Sequence, residues 1–199
     1  MRLSLQNLSM SLAVVSLLSG GAVSAQSLAG VNTRLVAPLN SQTATEGQTV
    51  TVKLDGTVKT ADGVKLTRGA ELLGKITGVK PSQNGGAASV TLTFTTAKLK
   101  DGKQIPVKAT LLAAFPGDQG VEAQYSDSTM NAVNSSVAGN QTIDQEPGAL
   151  PGITLKAAVQ APESGTFSKT DGNFKLAAGT FLQVGVAPAA NSASTSAAE

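Results

Sequence analysis

Apolar and polar residues alternate one for one along most of this chain, and the alternating runs are separated by Asp-Gly or Asn-Gly pairs. Val50, Val52, Leu54 and Val58 alternate with Thr51, Lys53, Asp55 and Thr57. Val90, Leu92 and Phe94 alternate with threonines, and Ile105, Val107, Ala109 and Leu111 with Pro106, Lys108 and Thr110. Ile153, Leu155, Ala157 and Val159 repeat the pattern, as do Leu182, Val184 and Val186. A period of two places successive side chains on opposite faces of a strand, so each run predicts a strand with one buried and one wet face. Further strands are predicted over Leu72 to Lys80, with bulges or close packing at Gly74 and Gly78, and near Arg34 to Leu39.

The breaks have the chemistry of turns. Asp62-Gly63, Asn84-Gly85-Gly86, Asp101-Gly102 and Asp171-Gly172 lie between runs. Both residue types tolerate positive φ, which two-residue hairpins require. An internal echo accompanies them. Leu66-x-x-Gly69-Ala70-x-Leu72 is repeated as Leu176-x-x-Gly179-Thr180-x-Leu182, each after an Asp-Gly. The reading is a turn, an apolar residue packed inward, a second turn at glycine, then a new strand. The candidate structural turns are thus Asp62, Gly63, Gly69, Asp101, Gly102, Asp171, Gly172 and Gly179. The predicted fold is all-β, one small barrel or sandwich of about seven short antiparallel strands.

The N-terminus reads differently. Residues 1–25 have a basic start at Arg2, an apolar run from Met10 to Leu18, and small residues before Gln26. That is the pattern of a secretory signal cleaved after Ala25, the alternative being an uncleaved anchor. Residues 26–186 form the expected β domain. Within it, 116–151 is rich in Gly, Ser, Asn and acids and is read as a flexible acidic insertion. Residues 187–199 are read as a disordered tail.

Composition excludes several chemistries. The chain has no Cys and no His, so it has no thiol or imidazole catalyst, no such metal ligand and no disulfide. No phosphate-binding loop or nucleophile motif occurs. Asp62, Glu71 and Asp101 could converge as carboxylates, but aspartate before glycine belongs to turns for backbone reasons. No catalytic, cofactor or metal site is therefore assigned. From Lys53 to Lys108 there are ten bases and four acids, whereas Gly117 to Leu150 holds five acids and no base. Five Phe and one Tyr are too few stacking groups for single-stranded nucleic acid. Once the signal is cleaved, no membrane span is expected.

The order Asp62-Gly63, Leu66, Gly69, Leu72-Leu73-Gly74, Val90-x-Leu92-x-Phe94, Asp101-Gly102, an insertion, then Leu176, Gly179-Thr180 and Leu182 resembles one known domain. It is similar to the C-terminal β-barrel domain of the TrbI/VirB-type scaffold subunit of type IV secretion and conjugation systems. The resemblance implies a barrel with an inserted segment before its last strand. Thr91 to Lys98 lack that family's Arg and Trp, and a signal stands where the family has an anchor. A stand-alone exported relative is therefore expected. The function expected is a non-catalytic protein of the periplasm or cell surface that binds or assembles with another envelope protein. The alternative is a glycan- or small-ligand-binding module, for which Phe115, Tyr125 and Phe167 are the candidate aromatic contacts.

Overall fold

Every alternating run is a strand in the structure, a computed structural model that describes residues 28–117 and 142–189. The elements are β1 (Ala29–Leu35), β2 (Leu39–Asn40), β3 (Thr49–Leu54), β4 (Val58–Lys59), β5 (Lys65–Leu66), β6 (Glu71–Lys80) and β7 (Ala88–Lys98). After them come β8 (Gln104–Phe115), β9 (Thr142–Leu150), β10 (Ile153–Ala158), β11 (Gly165–Lys169), β12 (Lys175–Leu176) and β13 (Phe181–Pro188). No helix occurs among the described residues. The main sheet runs β6-β3-β1-β13-β8-β7-β11-β10-β9, and β6 also pairs with β7. That last pairing closes six strands into an antiparallel barrel, with β11, β10 and β9 as an extension.

Closure requires stagger, and the register shows it. Phe115 pairs with Phe181, Phe181 with Arg34, and Arg34 with Lys53. Lys53 pairs with Glu71, Glu71 with Lys98, and Lys98 with Gln104. One circuit thus returns to β8 eleven residues before it began, with Leu112 looped out as a bulge opposite β13. The neighbours of these residues along the strands, among them Leu35, Leu54, Leu72, Ala97 and Leu182, point inward and are buried.

The sequence echo is a structural repeat. β1, β2, β12 and β13 are arranged as β3, β4, β5 and β6 are. In each copy the first strand bends into a two-residue arc, and the last strand pairs back on the first. The Gly69 N–H donates to the Leu54 carbonyl (2.8 Å), as the Gly179 N–H does to Leu35 (2.7 Å). Leu54 N–H in turn donates to the Ala70 carbonyl (2.8 Å), as Leu35 N–H does to Thr180 (2.9 Å). Gly69 and Gly179 have φ of 86° and 84°, the left-handed region that a β-carbon disfavours.

Phe94 dominates one level of the interior. It lies against Gly74, where an added β-carbon would fall 2.6 Å from the ring. Both expected irregularities of β6 are present, with register shifts at Leu73/Gly74 and at Ile76/Gly78.

Four boundaries differ from the sequence expectation. Residues 142–150 of the presumed insertion are strand β9, paired to β10. Residues 118–141 lie outside the described residues, as do 1–27 and 190–199. β13 continues through Ala187 and Pro188, which were expected to begin the tail. The first strand starts at Ala29, earlier than expected, and Val36 to Pro38 form a bend rather than strand.

Faces differ too. β8 and β13 were expected to have a wet face, yet Thr110, Leu112, Gln183 and Ala187 are buried. Leu28, Leu112, Val159 and Ala187 form a second apolar cluster over this part of the barrel, with Leu28 lying on Gly185. Thr110, paired with Gly185, shares that side, and its hydroxyl is buried without a hydrogen-bond partner among the described residues. A buried unpaired hydroxyl costs about 1–3 kcal/mol. Thr110→Val is therefore expected to raise stability by about 1 kcal/mol, seen as a higher urea midpoint at unchanged slope. A lower midpoint would mean that the hydroxyl is satisfied.

Candidate functional site

The aspartates and glycines singled out in the sequence build turns of two kinds. At Asp62-Gly63 the Gly63 N–H donates to Thr60 (2.9 Å) and Thr60 N–H to the Val64 carbonyl (2.9 Å). At Asp101-Gly102 the Gly102 N–H donates to Leu99 (3.0 Å) and Leu99 N–H to Lys103 (2.8 Å). Each is a type I turn closed by a left-handed glycine, with φ of 86° at Gly63 and 85° at Gly102. The β6–β7 hairpin turns at Asn84 and Gly85, both at positive φ, with Gly86 N–H donating to Gln83 (2.9 Å). Asp171-Gly172 departs from the hairpin expectation. The strands on either side of it, β11 and β12, do not pair with each other. Instead Gly172 N–H reaches the carbonyls of Gly85 (3.2 Å) and Gly86 (3.0 Å). Asn173 Oδ1 accepts from Ser82 N–H (2.9 Å) and from the Ser41 hydroxyl (3.2 Å). The segment therefore ties the hairpin tip to the β2 arc.

The three carboxylates are held separately. Asp62 accepts from the Thr60 hydroxyl, Asp101 from the Lys103 N–H (3.0 Å), and Glu71 is ion-paired with Lys98 (3.7 Å). Among the described residues no three Asp or Glu side chains lie close enough to hold a metal ion. Of the three candidate aromatic contacts, Phe167 is fully buried in the core, which removes it from any surface platform. Phe115 is partly exposed, and Tyr125 lies outside the described residues.

The outside of the barrel carries chemistry that the linear sequence did not reveal. The repeat makes two three-residue rungs equivalent: Arg34, Phe181 and Phe115 in one copy, Lys53, Glu71 and Lys98 in the other. The first rung is aromatic. The Arg34 guanidinium stacks 3.9 Å from the Phe181 ring centre and pairs with Asp55 at 2.6 Å. The second is ionic. Beside it Lys100 lies over the Gly69 turn: a β-carbon on Gly69 would be 2.8 Å from Lys100 Cε, 3.4 Å from its Nζ and 3.8 Å from Lys53 Cε. Period-two reading puts Lys53, Glu71 and Phe181 outward but would turn Lys98 and Phe115 inward; the irregularity at Thr95 and the bulge at Leu112 reverse the phase, and only the barrel register brings these residues together.

Around the Gly179 turn the surroundings are apolar instead. A cleft of about 540 Å³ is bounded there by Pro116, Leu150, Ile153 and Ala177, with Lys175 as its charged group. Gly117 packs directly on the turn, since a β-carbon there would fall 2.3 Å from the Gly179 carbonyl oxygen. A shallower hollow of about 330 Å³ lies between β10 and β11, edged by Lys156, Glu163 and Thr166.

No protein-family model and no curated protein matches the chain.

Proposed function

We propose that the chain is a non-catalytic exported protein of the cell envelope that binds or assembles with another envelope protein through the outside of its barrel. The observation that carries this reading is the filled interior. Phe94, Leu92, Ile76, Leu72 and Leu111 occupy the barrel at 1% exposure or less, and Phe94 leaves no room even for a methyl group on Gly74. A barrel of this size holds side chains rather than a ligand. Recognition then falls to the surface, where an aromatic rung occupies one half of the circumference and an ionic rung the other. Export rests on the signal-like pattern of residues 1–25. The order of turns and strands in the sequence also resembles that of a secretion-scaffold barrel.

The test uses the chain recovered from its native host. It is expected to begin at Gln26 and to bring down one protein partner in stoichiometric amount from an envelope extract. An intact Met1 in a membrane fraction would overturn the cleaved signal in favour of an uncleaved anchor. Binding on a glycan array with no protein partner would favour the ligand-binding module instead.

A further inference from the structure

We infer that the end of the barrel around the Gly69 turn is the docking surface for an acidic segment of the protein partner, an inference that rests on the partner-binding reading above. Ten bases and four acids occupy the stretch from Lys53 to Lys108. The structure shows where those four acids go. Asp55 is ion-paired with Arg34 and Glu71 with Lys98, while Asp62 and Asp101 accept hydrogen bonds within their own turns from the Thr60 hydroxyl and the Lys103 N–H. Lys53, Arg68 and Lys100 are exposed and make no ion pair among the described residues, Glu71 beside Lys53 being paired with Lys98 instead. Lys53 and Lys100 converge, because Lys100 Nζ and Lys53 Cε both lie within 4 Å of one point above Gly69, and Arg68 is the residue that precedes that glycine in the turn.

The second copy of the repeat serves as a comparison within the same molecule. Arg34 occupies the position equivalent to Lys53, and it has both a carboxylate and an aromatic ring to satisfy it. Gly117 stands where Lys100 does, against the equivalent turn, without any charge. Convergent cations in the first copy repel one another, and an anion placed between them relieves that repulsion. Three cations set along a turn match several carboxylates in a row better than a single ion. The surroundings favour a polypeptide over a lipid surface or nucleic acid. Among the described residues the one exposed large apolar side chain is Val36, in the other copy, so nothing apolar reaches out beside these lysines to enter a bilayer. The ring pair Phe115 and Phe181 also lies on the other copy, away from any base-stacking role here.

The experiment uses fluorescence anisotropy with a labelled peptide of ten glutamates, the mature chain, and two triple variants that remove the same charge. Lys53→Gln/Arg68→Gln/Lys100→Gln is expected to weaken peptide binding about tenfold. Lys108→Gln/Lys169→Gln/Lys175→Gln is expected to change it less than twofold. Binding by the unmodified chain is expected to fall steeply as salt rises and the Debye length shortens. Equal losses in both variants would overturn the proposal, because net charge and not this surface would then be responsible. Absence of peptide binding at low salt, or binding of phosphatidylglycerol vesicles lost only in the first variant, would overturn it as well. If the first variant still brings down the envelope partner undiminished, the partner reading stands and the docking surface does not.

Discussion

Phe94→Ala is expected to remove about 3–5 kcal/mol of stability, the range for truncating a buried aromatic ring. Domains of this kind have about 5–15 kcal/mol in total, so the variant would sit close to unfolding at room temperature. The ring is 1% exposed and lies over a glycine, so on that side there is no side chain to relax into the space. The complementary change tests the same contact from the other side. Gly74→Ala places a methyl 2.6 Å from the ring and 2.7 Å from the Thr93 carbonyl oxygen. Overpacking of that kind costs about 1–3 kcal/mol. In a Phe94→Leu background the part of this cost due to the ring should be relieved, while the part due to the Thr93 carbonyl should remain. Urea unfolding of the four proteins in the cycle would give a coupling of about 1 kcal/mol in favour of the double variant. Strict additivity would show that Phe94 is not what excludes a side chain at position 74.

Alternation was legible wherever the barrel has solvent on its outer side. Val50, Val52, Leu54, Val90, Leu92 and Phe94 face inward as the period requires, with polar neighbours outside. It fails at β8 and β13 for a stated reason. The extension and Leu28 cover their outer face, and a period of two reports which residues share a face but not what lies on it. Thr110 and Gln183 are the residues misread on that account. Strand β9 was missed because Thr142 to Leu150 is polar and contains Pro147 and Gly148; its pairing with β10 overrides a composition that reads as loop. The two-residue arcs β2, β4, β5 and β12 are too short to show any period, although the Leu66 and Leu176 echo located two of them. Charge was readable as a count but not as a surface. Lys53 and Lys100 meet at Gly69 only because of the barrel register, which is a property of the closed sheet.

The junction where the extension leaves the barrel gives the second large effect. β7 and β8 pair from Lys98 and Gln104 to Thr96 and Pro106, and their ladder ends at that proline, which has no N–H to donate. Ser164 fills the opening beyond. Its N–H donates to the Leu92 carbonyl (2.8 Å), its carbonyl accepts from Leu111 N–H (2.8 Å), and its hydroxyl oxygen accepts from Phe94 N–H (2.8 Å). One residue thus connects both separated strands, and it is 1% exposed. From the sequence it looks like an ordinary loop serine before a glycine. Ser164→Ala keeps both backbone bonds but leaves the Phe94 N–H buried without an acceptor, which is expected to cost about 1–3 kcal/mol. Thr166 provides the control. Its hydroxyl bonds that of Thr91 at 2.9 Å in a partly exposed position, so water can replace the partner in Thr166→Ala, and a loss below about 1 kcal/mol is expected. Hydrogen exchange at the Phe94 amide should quicken in Ser164→Ala by more than global destabilisation explains, and should follow global stability alone in Thr166→Ala. Equal stability losses in the two variants, with Phe94 still protected, would mean that the strands hold together without the serine hydroxyl.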